Sequence, residues 1–172
     1  MTRILKEMAT SLSLPLTILF KASLDNGTIP TDWKTAKISA IYKKGNKKYA
    51  RNYRPVSLTS ITCKILESII RDSIIKHMIE NKLFTNSQFG FIGGRLMILQ
   101  LLKVLDSWTD TLNHNGSLDV IYLDFMKAFD KVPHQRLLGK LKTYGIDENI
   151  VNWMEDFLVG RKQRVCVNGV YS

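Results

Sequence analysis

The chain has 172 residues, 45% of them hydrophobic and 23% charged, so it can bury the core of one domain and lacks the composition of a disordered tail. Its net charge is +10, and between Thr31 and Arg71 ten Lys and Arg residues stand against Asp32 and Glu67, a local excess of +8. A field this concentrated argues against a cationic ligand and suits a polyanion, nucleic acid or a nucleoside triphosphate, the plainer alternative being a solvated lysine-rich loop.

Ile4, Leu5, Met8, Ala9 and Leu12 recur at helical spacing, and Leu16, Leu19, Phe20 and Leu24 follow. The pattern predicts two short helices, broken near Pro15 and stopped at Asp25-Asn26-Gly27. Leu12–Phe20 resembles the apolar centre of a secretion signal, but Pro15 interrupts it, Ser11 and Ser13 dilute it, and Glu7 sits in what should be a purely basic leader. No apolar run approaches the roughly 20 residues that span a bilayer, so a soluble chain without membrane contact is expected. Ile38, Ala40 and Tyr42 alternate with Lys37, Ser39 and Lys43, which predicts a strand; Lys43 to Lys48 then holds the Gly45 and Asn46 of a loop. Arg54 must be extended because Pro55 follows it.

From Ser60 to Glu80, Ile61, Ile65, Leu66, Ile69, Ile70, Ile74, Met78 and Ile79 form a wide apolar stripe, the mark of a core helix that Thr59 or Ser60 can cap. Gly90, Gly93 and Gly94 mark a loop, a second long helix runs through Leu99, Leu102, Leu105 and Trp108, and Asn113 to Ser117 is turn material. Leu118 to Phe125, rich in Val120, Ile121, Tyr122 and Leu123, predicts a buried strand. Helices are expected over Arg136–Tyr144 and Glu148–Leu158. Arg164 to Val167 and an Asn168-Gly169 turn predict the first arm of a hairpin whose return strand has barely begun, the pattern of a truncated unit.

Cys63 and Cys166 make no metal-ligand spacing with His77, His114 or His134, which fits a reducing, intracellular compartment; the histidines read as caps or surface residues. Trp33, Trp108 and Trp153 read as packing residues rather than platforms for bases. Asp124, closing the predicted strand, places a carboxylate at the mouth of a sheet, where hard Mg²⁺ finds rigid oxygen ligands; the alternative is an ordinary cap or turn former.

The string Tyr122-Leu123-Asp124-Phe125-Met126-Lys127-Ala128-Phe129-Asp130-Lys131-Val132-Pro133-His134 resembles the first palm motif of reverse transcriptases from non-LTR, jockey-like retrotransposons. Other matches stand in family order. Pro30-Thr31-Asp32-Trp33-Lys34 with Ile41-Tyr42-Lys43-Lys44-Gly45 is similar to the first fingers motif, and Asn52-Tyr53-Arg54-Pro55-Val56-Ser57-Leu58 to the second. Gln88-Phe89-Gly90-Phe91 and Gly160-Arg161-Lys162-Gln163-Arg164-Val165 resemble later stretches.

The resemblance implies an α+β right-hand polymerase, helix-rich with a small antiparallel sheet. Residues 1–115 would be an N-terminal extension and fingers, and residues 116–172 a partial palm. It implies an RNA template, a DNA primer, dNTPs and two Mg²⁺ ions as partners, in the nucleus or cytoplasm. Asp124 would be the first metal-binding aspartate, with the Phe125 carbonyl as a second contact, and Phe129 the aromatic beneath the incoming sugar. Lys43, Lys44 and Arg54 would lie near the triphosphate, with Lys34, Lys37, Lys47, Lys48 and Arg51 along nucleic acid, Asp130 supporting a turn and His134 capping the next helix.

The chain departs from the family pattern in two places. Met126 stands where a small hydroxyl residue is usual, and Gly94-Arg95-Leu96-Met97 replaces a more polar loop. The family's second palm motif, paired aspartates and thumb would fall beyond Ser172, and Asp147 and Asp156, in helical contexts, cannot stand in for them. The expectation is therefore a polymerase segment that does not polymerise by itself, the alternative being a decayed or domesticated nucleic-acid-binding module without chemistry.

Overall fold

Six helices and four strands follow one another in the computed structural model, which describes residues 2–167 and 170–171. The chain divides into two units, one of Met1–His77 with Pro133–Ser172 and the other of Met78–Val132.

In the first unit, α1 (Thr2–Glu7) and α2 (Ala9–Asp25) meet at Met8 rather than at the expected break near Pro15. Proline costs its helix one backbone hydrogen bond. Here α2 continues through it, held on the core by buried Phe20 and Ser23, with Leu16 and Leu24 packed beside them. A 3-10 turn over Thr31–Lys34 buries Trp33 and leads into β1 (Thr35–Tyr42). β2 (Tyr53–Leu58) returns antiparallel to it, with Ala40 opposite Pro55 and Tyr42 opposite Tyr53. Proline suits this position because β2 is an edge strand.

The core helix is α3 (Ile61–Glu80), as its stripe predicts. Leu66 and Ile70 are buried and Cys63 is wholly so, whereas Ile69 and Ile79, at the stripe's margin, are exposed. α5 (His134–Thr143) and α6 (Glu148–Leu158) complete the helices of this unit. Pro133 rather than His134 occupies the N-cap of α5, and no side chain caps it. Asp147 does cap α6, accepting the Asn149 amide at 2.9 Å. Trp153 of α6 is 2% exposed among Phe20, Trp33, Cys63 and Leu66, and its indole N–H donates to Ser23 Oγ at 3.0 Å. Trp33 and Trp153 are thus the packing residues expected.

β3 (Lys162–Val167) pairs parallel to β1, with Ile38 opposite Val165, and β4 (Val170–Tyr171) pairs antiparallel to β3. The sheet order is β2-β1-β3-β4, so the sheet is mixed rather than antiparallel throughout. The two arms of the closing hairpin are present; its expected Asn168-Gly169 turn lies outside the described residues.

The second unit holds a loop over residues 81–96, then α4 (Met97–Asn113). Arg95 closes the loop by donating to the Thr85 and Gln88 carbonyls, each at 2.6 Å. The strand expected over Leu118–Phe125 does not form: the segment has no regular secondary structure, with Ile121, Tyr122, Leu123 and Phe125 all more than 80% exposed. A strand needs partners for its N–H and C=O groups and cover for its apolar side chains, and this segment is paired with none of the described strands. The apolar side chains of α4 are likewise uncovered, with only Trp108 half-buried among Leu99, Leu102 and Leu105.

Candidate nucleic-acid interface

Between β1 and β2 the lysine-rich segment is a built loop. Gly45 adopts φ +90°, and the Tyr42 hydroxyl donates to its carbonyl. Asn52 Nδ2 donates to the Asn46 carbonyl at 2.7 Å, and the Tyr53 hydroxyl to the Lys47 carbonyl at 2.9 Å. The loop base is closed by the Lys43 amide on the Asn52 carbonyl at 2.8 Å. Three consecutive carbonyls are therefore occupied by the side chains of Tyr42, Asn52 and Tyr53, while Lys43, Lys44, Lys47 and Lys48 are exposed. Ring contacts fix two of the cations: Lys47 Nζ lies 5.4 Å from the Tyr42 ring centroid and the Arg51 guanidinium 5.1 Å from that of Tyr49. These bonds order the loop, while its lysines stay exposed to solvent, as the plainer alternative also has them.

Strand alternation sorts the rest onto two faces of the sheet. Lys37 is in register with Arg164, and Arg54 with Ile41, so Lys37, Arg54 and Arg164 share one face. Ile38, Ala40, Tyr53, Pro55 and Val165 share the other, where, with Lys47, Lys48, Ala50 and Cys166, they line a groove of about 690 Å³. Tyr42 and Tyr53 meet edge to face at 5.7 Å. Arg164 and the tyrosines Tyr42, Tyr49 and Tyr53 are the additions that sequence reading missed. The alternation of β3 carried a signal for Arg164, and the tyrosines bracket the lysine run on both sides.

Lys34 is placed differently from the other cations. Its Nζ sits 2.6 Å from Asp156 Oδ1, and Asp156 Oδ2 accepts the Ile29 amide at 2.8 Å. Burial pushes the Asp156 carboxyl upward, but the hydrogen bonds from Lys34 and Ile29 and the lysine charge outweigh it, and the net shift is downward. Cys63, by contrast, is pushed up to about 12 by burial, reinforced by the hydrogen bond and charge of Glu67 and opposed by Arg161. Burial and the neighbouring carboxylate thus favour the neutral thiol, which is a poor nucleophile.

Asp124, Phe125 and Phe129 belong to the second unit, all exposed. Phe129 meets Phe91 edge to face at 6.3 Å, and both Phe91 and Lys127 adopt positive φ, 63° and 55°. Among the described residues no group of three or more His, Cys, Asp or Glu side chains could hold a metal ion. Asp124 alone cannot clamp two divalent ions, so these residues do not by themselves make a two-metal centre.

The first unit thus combines a mixed sheet, a cationic hairpin tip and a cationic sheet face with a helical core. Residues 41–171 match the family described as reverse transcriptase (RNA-dependent DNA polymerase), and the chain belongs to that family. It is 27% identical over 175 aligned residues to the probable RNA-directed DNA polymerase from transposon BS of Drosophila melanogaster, covering 98% of this chain and 18% of that protein. It is 30% identical to the corresponding protein from transposon X-element, over 98% of this chain and 18% of the relative. The RNA-directed DNA polymerase from mobile element jockey is also 30% identical, over 91% of this chain and 17% of its own length. The chain thus spans less than a fifth of these retrotransposon relatives. Among the described residues no helix is long and apolar enough to cross a membrane.

Proposed function

We propose that this chain is the fingers and first part of the palm of an intracellular retrotransposon reverse transcriptase, residues 1–115 and 116–172 respectively. The complete protein adds dNTPs to a DNA primer 3′-hydroxyl along an RNA template. What carries the reading is the family match over residues 41–171, which takes in both the lysine loop and Asp124. Asp124 supplies one carboxylate of a two-Mg²⁺ centre, with the Phe125 carbonyl beside it and the remaining carboxylates from residues outside this chain. Phe129 packs beneath the incoming sugar. Lys43, Lys44 and Arg54 face the triphosphate, and Lys37, Lys47, Lys48, Arg51 and Arg164 hold the nucleic-acid backbone. Lys34, paired with Asp156, ties the turn before β1 to α6 rather than touching phosphate.

The test is Asp124→Asn in a full-length enzyme that carries this segment. An amide binds Mg²⁺ far less well than a carboxylate. Primer extension should therefore fall by more than the roughly 10–100-fold that loss of a residue merely supporting a ligand costs, with the far-UV circular dichroism unchanged. Extension close to the unsubstituted level would remove Asp124 from the metal site. It would also favour the second reading, a nucleic-acid-binding module without chemistry.

A further inference from the structure

We infer that the groove on the sheet face away from Arg54 is a second nucleic-acid site, which takes an unpaired base of a single strand. The inference rests on the nucleic-acid reading above, but the groove residues are not those assigned there to the triphosphate. Its floor is apolar, made by Ile38, Ala40, Pro55 and Val165 on one sheet face, and the Tyr53 ring forms a wall. Its rim is cationic, made by Lys47 and Lys48. Its volume, about 690 Å³, is that of a small-molecule pocket. Apolar and aromatic surface beside a phosphate-attracting rim is the combination that holds unpaired bases, because every base has a face to stack and every linkage a charge.

Two features make the site ready before binding. The Tyr53 hydroxyl is tied to the Lys47 carbonyl, so wall and rim are fixed to each other, and the edge contact with Tyr42 holds the ring. Ala40 and Pro55 remain exposed instead of being packed over. A duplex keeps its bases paired and stacked and cannot offer one to the floor, so the site selects single strands. The strand that occupies it passes the lysine tip of the β1–β2 hairpin, whose cations serve both faces of the sheet.

The experiment is fluorescence anisotropy on the 172-residue chain with three probes of equal length: oligo(dT), a strand of abasic linkages, and a duplex. Oligo(dT) should bind about fivefold or more tighter than the abasic strand, the low end for one stacked base. Ala40→Phe places a ring on the groove floor and fills it. It should bring oligo(dT) down to the abasic level and leave the abasic strand unaffected. Arg164→Ala, on the other sheet face, should weaken both strands alike and preserve their ratio. Equal affinity for oligo(dT) and the abasic strand, or loss of both in equal measure on filling the groove, overturns the base site and leaves the backbone reading standing. No salt-dependent binding of any probe overturns both.

Discussion

The ion pair between Lys34 and Asp156 makes the sharpest prediction about stability. It joins the turn before β1 to α6 across 122 residues of sequence, and the same carboxylate accepts the Ile29 amide. The two side chains are 22% and 29% exposed, between the surface pairs that contribute less than about 1 kcal/mol and the buried pairs whose breaking costs about 3–5 kcal/mol. A coupling of about 1–2 kcal/mol is therefore expected, and Asp156→Ala, which also leaves the Ile29 amide unmatched, should cost about 2–3 kcal/mol. The Asp156 carboxyl titrates lower folded than unfolded, so its contribution is fully present above the unfolded value of about 4 and is lost as pH falls through the depressed folded value. Urea denaturation of the parent, Lys34→Ala, Asp156→Ala and the double variant, at pH 7 and again near pH 3, measures both effects. Additive single effects at pH 7, or a gap between parent and Asp156→Ala that does not narrow in acid, would refute this account.

Three further outcomes follow from the loop and the core. Changing Lys43, Lys44, Lys47 and Lys48 together to Ala should flatten the salt dependence of oligonucleotide binding, which for three to five neutralised phosphates should run at a log–log slope of roughly −2 to −3.5; changing Lys140 and Lys142 should barely alter it. Gly45→Ala should cost about 1 kcal/mol or more and loosen the loop, since φ is +90° and the added carbon would lie 2.8 Å from Asn52 Nδ2; unchanged amide-exchange protection at Lys43 would contradict this. Trp153→Phe should cost about 1–3 kcal/mol in urea denaturation, because the Ser23 hydroxyl loses its indole donor and the smaller ring underfills the core; a neutral result would mean that the bond adds nothing net.

What could be read from the sequence tracks how locally each feature is determined. α3 was legible because its apolar stripe decides its own burial, and β1 because period-two alternation survives whatever pairs beside it. The break near Pro15 misled because proline costs α2 one bond, and that loss is outweighed by tertiary anchoring at Phe20 and Ser23 that no local pattern displays. The parallel pairing of β1 with β3 was out of reach for the same reason, since Thr35 and Lys162 meet through the packing of everything between them. Leu118–Phe125 shows the same dependence from the other side: its β-branched and aromatic residues state a preference, and a strand is a preference that only a partner can satisfy. The charge of the lysine run was plain, but not that Tyr42, Asn52 and Tyr53 take its carbonyls in succession. Those three bonds turn a repulsive run of like charges into an oriented one, so the tyrosines that carry no charge decide where the charge points.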